Sequence, residues 1–129
     1  MLDNEMMTRT EALPERFRIK LQKDLKYLIE REIPGLEQIC LFGSVARGDY
    51  KWDSDLDLAI VTRKPLIDHY LRGEIVDVLD ESLDGVSTDV VFRVSNGNES
   101  LSGTFDYLFE KDKLVLWERF NGFRHGWCS

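Results

Sequence analysis

The stretch that decides the fold is Leu41–Thr62, LFGSVARGDYKWDSDLDLAIVT. It begins in an apolar run that is typical of a buried strand, and the small residues Gly43 and Ser44 follow at once. A polar loop then leads to Asp55, Asp57 and a second apolar run. The pattern predicts two strands joined by a small-residue turn and a loop, with two carboxylates at the start of the second strand.

The spacing of these residues predicts a particular chemistry. Side chains alternate across a strand, so Asp55 and Asp57 should share a face. Two neighbouring carboxylates repel each other unless a positive charge lies between them, and such oxygen ligands suit Mg²⁺, which completes its shell with substrate phosphates. Gly43 lets the backbone approach a ligand closely, and a helical turn starting at Ser44 would direct free N–H groups at a phosphate. A carboxylate pair that faces a phosphate-binding turn, with the positive charge of Arg47 nearby, is typical of sites for phosphoryl or nucleotidyl transfer.

The stretch resembles the nucleotidyltransferase superfamily that includes DNA polymerase β and kanamycin nucleotidyltransferase. The pattern of that superfamily is Gly-Ser, then Asp-x-Asp, then a third carboxylate on a later strand. The resemblance is strongest to the minimal nucleotidyltransferases, a group of small prokaryotic proteins. The residues that match this group are Gly43, Ser44, Ala46, Arg47, Gly48, Ser54, Asp55 and Asp57. The third carboxylate maps to Asp89.

The resemblance implies a role for each of these residues. Asp55, Asp57 and Asp89 would be the catalytic and metal-binding carboxylates, holding two Mg²⁺ ions, and Asp89 could also receive the proton of the attacking hydroxyl. The substrate would be ATP or another nucleoside triphosphate. The residues implied to bind the nucleotide are Gly43, Ser44, Arg47, Gly48 and Ser54.

The same residues also allow other functions, and some of these the sequence excludes. The stretch lacks the Gly-Lys-[Ser/Thr] ending of a P-loop, and it lacks the Gly and Glu that an EF-hand loop needs at its sixth and twelfth positions. Arg47 could equally contact a phosphate or form a salt bridge to the acidic loop. A packing role under the loop is favoured for Trp52 over stacking on a base or a partner. Arg93 is expected to be solvated, and His69 to be a surface or capping residue.

Apolar periodicity predicts the other elements. A stripe comprising Phe17, Leu21, Leu25, Leu28 and Ile29 indicates a helix that begins near Pro14 and is stopped by Pro34-Gly35. A second helix should carry Pro65 in its first turn and Ile67 on its buried face. A last helix should follow an N-cap at Asn98. Strands are predicted at Gln38–Phe42, Asp55–Thr62, Thr88–Val94 and Lys113–Trp117. The alternation predicts an α/β (α+β) fold, with a mixed β-sheet and flanking helices.

Length and composition limit the function classes. The 129 residues should form a single nucleotidyltransferase domain, 1–129, with flexible tails at 1–10 and 121–129. The net charge of −7 argues against direct nucleic-acid binding and favours a basic protein partner. Cys40 should be a buried apolar residue, and the two cysteines do not indicate a disulfide framework or a zinc site. The absence of a signal peptide or a long apolar run predicts a cytoplasmic protein that does not enter a membrane.

These observations favour a Mg²⁺-dependent nucleotidyltransferase that transfers AMP from ATP to a hydroxyl acceptor. The resemblance to minimal nucleotidyltransferases implies an antitoxin whose acceptor is a tyrosine of a HEPN-domain toxin. One alternative is a transferase that modifies a small molecule such as an aminoglycoside. Another is a non-catalytic antitoxin or binding module of the same fold. Incorporation of a nucleotide into a partner would distinguish the AMP-transferring antitoxin from the non-catalytic binding module.

Overall fold

The part of the chain that the structure describes contains a mixed sheet of four strands. The computed structural model describes residues 12–95 and 109–119. The described residues include the helices α1 (Glu15–Glu30), α2 (Gly43–Arg47) and α3 (His69–Asp80) and the strands β1 (Leu36–Phe42), β2 (Leu56–Thr62), β3 (Thr88–Val94) and β4 (Leu114–Glu118). The strand order is β3-β2-β1-β4. Strands β2 and β3 are parallel, whereas β1 runs antiparallel to both β2 and β4. The predicted fold class is confirmed.

Helices α1 and α3 cover one face of the sheet. The apolar stripe of α1 is buried as predicted, because Phe17, Leu21, Leu25 and Leu28 are at most 2% exposed. They pack in one core cluster with the apolar residues of α3 and with alternate residues of the central strands, such as Leu58. The intervening residues point to the opposite face, where a smaller cluster contains Cys40, Ala59, Val61 and Phe109. The prediction that Cys40 is buried is confirmed.

The start of the second long helix differs from the prediction. Helix α3 begins at His69, and Pro65 and Ile67 precede it. Asp68 is the N-cap, and its carboxylate accepts a 3.1 Å hydrogen bond from the Leu71 backbone N–H. Since this bond satisfies a free donor of the first turn, the cap determines where the helix starts. Ile67 is consequently 79% exposed rather than buried.

Other predictions have mixed outcomes. Helix α1 ends at Glu30, shortly before the predicted stop, and His69 is exposed as expected. Residues 109–112 are helical and form the described part of the predicted last helix. Asn98, most of that helix and the predicted tails at 1–10 and 121–129 lie outside the described residues. Within the described ranges, no helix has the length and apolar character needed to cross a membrane.

Candidate active site

Three carboxylates meet where β2 and β3 begin. The two strands pair in register, so Asp57 lies directly opposite Asp89. Both side chains point away from α1 and α3, because the intervening residues, such as Leu58, belong to the core on the helical face. Asp55 lies just before β2 and is exposed. The structure therefore places all three predicted carboxylates at one end of one face of the sheet.

Asp57 is the half-buried member of the three carboxylates. Burial, and then the negative charges of Asp89 and Asp55, raise the pKa of Asp57 to about 6, and Arg47 opposes this rise. Asp89, by contrast, is exposed on a strand at the edge of the described sheet. Burial disfavours the charged form of a carboxylate, and neighbouring like charges add to the cost.

Gly43 lies directly beneath the Asp57 carboxylate. Its φ is +80°, and a Cβ built on Gly43 would lie 2.3 Å from Asp57 Oδ2. Any side chain at this position would therefore collide with Asp57 as well as strain the backbone. The glycine predicted to let backbone approach a ligand also makes room for a carboxylate of the site.

Helix α2 is a single turn that follows β1 without a loop. Its buried residues Val45 and Ala46 hold it against the sheet. Gly48 ends it at φ +89°, and the Gly48 N–H donates to the Ser44 carbonyl at 2.9 Å. Phe42 is the N-cap, so the helix begins at Gly43, one residue earlier than predicted, and no side chain among the described residues caps it. Ser44 is therefore the second residue of the turn, and its half-buried side chain is not used as a cap.

Arg47 connects this turn to two acidic residues. Its guanidinium Nε lies 3.2 Å from Asp49 Oδ2, and its Nη1 lies 3.6 Å from Asp112 Oδ2. The hydrogen bond to Asp49 is the largest cause of a raised Arg47 pKa. Of the two readings of Arg47, the structure contains the salt bridge to the acidic loop. No local pattern indicated Asp112, because it is distant from Arg47 along the chain and approaches it only through tertiary packing.

The loop before β2 is held by hydrogen bonds. Ser54 Oγ accepts a 2.7 Å hydrogen bond from the Lys51 N–H, and the Ser54 N–H donates to the Lys51 carbonyl at 3.0 Å. The Arg16 guanidinium donates to the Trp52 carbonyl. The Trp52 side chain is nevertheless 82% exposed, so the predicted packing role under the loop is wrong. The backbone of the loop is fixed while its indole faces solvent.

Arg93 also differs from expectation. It is half-buried, and its guanidinium carbon lies 4.7 Å from the centroid of the Phe109 ring. The Lys113 ammonium approaches the same ring at 5.4 Å. Such contacts between a cation and an aromatic ring are favourable. They connect β3 to the segment that carries Asp112, an arrangement that no local sequence pattern indicated.

The three carboxylates suit a divalent metal in chemistry, although they do not already surround one. Within residues 12–95 and 109–119, no three His, Cys, Asp or Glu side chains are gathered closely enough to form a ready-made metal site. Carboxylate oxygens are nevertheless the ligands that Mg²⁺ prefers, and it usually needs only one or two from the protein. A cation would also relieve the repulsion that raises the pKa of Asp57. The oxygen atoms of Asp55, Asp57 and Asp89 are therefore suitable ligands for a divalent metal ion.

A cavity of about 220 Å³ adjoins α2 but does not coincide with the carboxylates. Its walls include Leu41 and Leu114, which belong to the core on the helical face of the sheet. The carboxylates lie on the opposite face. This cavity is therefore not the place where a triphosphate would meet Asp57.

Comparison with known proteins is consistent with this geometry. The family model described as nucleotidyltransferase domain matches residues 19–114. The chain belongs to the nucleotidyltransferase domain family. The matched range extends from α1 to the first residue of β4, so every predicted site residue lies inside the family's domain. No curated protein matches the chain.

Solved structures share the fold. A protein of Sulfolobus solfataricus described as a nucleotidyltransferase is 22% identical, with 93% of each chain covered and a TM-score of 0.59. A toxin–antitoxin complex with AMP-PNP is 25% identical, covers 75% of this chain and 73% of its own, and has a TM-score of 0.54. A variant of the toxin–antitoxin complex MntA–HpeT is 23% identical, with the same coverage and a TM-score of 0.52. Like these structures, the chain has a nucleotidyltransferase fold.

Proposed function

We propose that this protein is a Mg²⁺-dependent nucleotidyltransferase that moves AMP from ATP onto a hydroxyl group of a partner protein. The observation that carries the proposal is the pairing of Asp57 with Asp89, beside Asp55, in a member of the nucleotidyltransferase domain family. The high cost of a bare negative charge at Asp57 indicates a site built to receive a cation.

In this proposal Asp55, Asp57 and Asp89 hold two Mg²⁺ ions. When bound, the metal offsets the charge of the triphosphate and stabilises the leaving pyrophosphate. Asp89 is exposed at the edge of the described sheet, where an acceptor hydroxyl would reach it. It accepts the hydroxyl proton as the oxygen attacks the α-phosphorus of ATP. The bond from that phosphorus to the bridging oxygen breaks, and pyrophosphate leaves.

The turn supplies the proposed phosphate contacts. The N–H groups of Gly43 and Ser44, in the first turn of α2, would donate to phosphate oxygens together with the Ser44 hydroxyl. Gly48 keeps the end of the turn free of side chain. Arg47 is 41% exposed, so it can exchange Asp49 for a phosphate at small cost. Ser54 shapes the loop through its hydrogen bonds with Lys51, and its hydroxyl would donate to ATP when ATP is bound.

The proposed acceptor is a tyrosine of a HEPN-type toxin, which would make this protein the antitoxin of the pair. Support comes from the likeness to a toxin–antitoxin complex that binds AMP-PNP, at 25% identity. The net charge of −7 also suits a basic, RNA-binding partner. Because the proposed reaction consumes ATP and silences a toxin, we place it in the cytoplasm.

The test is incorporation of label into the partner. The protein is incubated with labelled ATP, Mg²⁺ and the protein encoded beside it, and the mass of the partner is followed. The wild type should add one or more AMP groups, and Asp89→Asn should add almost none while still forming the complex. Loss of a general base lowers turnover by about 10²–10⁴-fold.

Asp53→Asn is the matched control, because Asp53 is an exposed carboxylate of the same loop and is not among the charges that perturb Asp57. It should modify the partner as the wild type does. A wild type that binds the partner tightly but never modifies it with any triphosphate would be a binding module, and the transferase proposal would then be wrong.

A further inference from the structure

A buried polar network joins helix α1 to the first residue of β3. Lys20 and Asp24 of α1 and Thr88 of β3 are 0%, 1% and 2% exposed. Lys20 Nζ donates to Asp24 Oδ1 at 2.6 Å, to the Leu79 carbonyl at 2.9 Å and to Thr88 Oγ1 at 3.0 Å. The Thr88 hydroxyl donates in turn to Asp24 Oδ2. All three donors of the ammonium and both carboxylate oxygens are therefore used.

Stability alone does not explain this network. Burial raises the pKa of Asp24 even though the hydrogen bonds from Lys20 and Thr88 lower it. Replacing a buried ion pair by apolar side chains of similar size is often neutral or stabilising. The cost of burying the charges of Lys20 and Asp24 is more readily explained by the parts of the fold that the network holds together. It connects α1, the C-terminal end of α3 at Leu79, and the start of β3.

The network lies one residue from the carboxylate site. Thr88 points into the helical layer, and because side chains alternate along a strand, Asp89 points to the face that carries Asp57. Strand β3 is at the edge of the described sheet and pairs only with β2. The position of its first residues therefore depends on the β2 ladder and on whatever holds Thr88 from the other side.

We propose that the Lys20–Asp24–Thr88 network is a positioning device that holds Asp89 opposite Asp57 and thereby sets the affinity of the site for a metal–nucleotide complex. The inference rests on the proposed function, since it concerns the same site. It assigns a role to side chains on the opposite face of the sheet, which do not touch the substrate.

The experiment compares two buried threonines. Thr88→Val keeps the shape of the side chain but removes the hydroxyl. Thr62→Val is the matched control: Thr62 is 1% exposed, and its hydroxyl donates to the Lys64 carbonyl at 2.6 Å at the far end of β2. Binding of Mn²⁺ together with a non-hydrolysable ATP analogue is measured by calorimetry, at a temperature where circular dichroism shows each variant folded.

Thr88→Val should weaken metal-dependent binding by about 10-fold, as is typical when a support behind metal ligands is removed. Thr62→Val should match the wild type within about 2-fold, and Thr88→Ser, which keeps the hydroxyl, should recover most of the affinity. Equal binding by Thr88→Val and Thr62→Val, whether both are normal or both are weakened, would overturn the inference.

A second route covers the case in which Thr88→Val does not fold. The double variant Lys20→Met with Asp24→Leu removes both buried charges together, which proteins often tolerate. It should also bind the Mn²⁺–analogue complex about 10-fold more weakly, and wild-type affinity in this variant would contradict the positioning role. If the wild type itself fails to bind the complex, the proposed function is wrong, and the inference falls with it.

Discussion

Replacing Gly43 by alanine tests the geometry of the site most directly. The new methyl carbon would lie 2.3 Å from Asp57 Oδ2 and 3.1 Å from Asp57 Cγ. Ordinary contact begins near 3.4 Å, so the carboxylate must retreat by about 1 Å, given the steep repulsion at shorter range. Misplacement of a catalytic group by about 1 Å can lower turnover by about 10²-fold. We expect a loss of that order in AMP transfer, and a clear weakening of Mn²⁺–nucleotide binding.

The backbone also contributes to the effect of this substitution. Gly43 has φ +80°, where an L-residue costs about 1–2 kcal/mol. Gly85 provides the control, because its φ is +81° and, among the described residues beyond its two chain neighbours, no atom lies within 4 Å of the position that a Cβ would take. Urea unfolding should show Gly85→Ala losing about 1–2 kcal/mol of unfolding free energy while calorimetry shows unchanged metal–nucleotide binding. If Gly43→Ala binds the complex as well as Gly85→Ala does, Asp57 is not the ligand that we propose.

Three further predictions concern charge, capping and exposure. The pKa of Asp57 is raised from an ordinary 3.8 to about 6, so the folded protein loses stability when Asp57 loses its proton as the pH rises through 6. Without metal, Asp57→Asn should therefore be more stable than the wild type at pH 8 and no more stable below pH 4. Thermal unfolding measures this, and a difference that does not change with pH would contradict it. Asp68→Ala removes the hydrogen bond to the Leu71 N–H and should cost about 1 kcal/mol in urea, whereas Asp68→Asn should lose much less. Trp52→Ala and the control Tyr70→Ala, whose side chain is also highly exposed, should each change the free energy of unfolding by less than about 0.5 kcal/mol, and a larger loss at Trp52 would reveal packing that the structure lacks.

Parts of the fold followed from local pattern. The stripe of α1 was predictable because 3.6 residues make a helical turn, so apolar residues at spacings of three and four must face one side. The start of α3 was not predicted correctly, because two local signals competed. The sequence contains both Pro65 and Asp68, and the structure shows that the side-chain cap of Asp68 determines the boundary.

Part of the buried network could have been predicted from the sequence. Lys20 and Asp24 are four residues apart and lie on the buried face of α1. A charged pair placed within an apolar stripe indicates a buried ion pair when the helix is covered on that side. The partner Thr88 could not have been found in the same way, because only packing brings β3 under α1.

The sequence by itself determined the chemistry of the candidate site. Gly43, Ser44, Asp55 and Asp57 occur at a spacing that a strand–turn–strand unit converts into neighbours, since strand geometry places alternate residues on one face. Tertiary structure alone decided that Asp89 lies opposite Asp57, that Asp57 is the half-buried carboxylate, and that its oxygen occupies the space above Gly43. The physical reason is that periodicity is a property of the local backbone, whereas burial, register between distant strands and the approach of charges depend on how the whole chain packs.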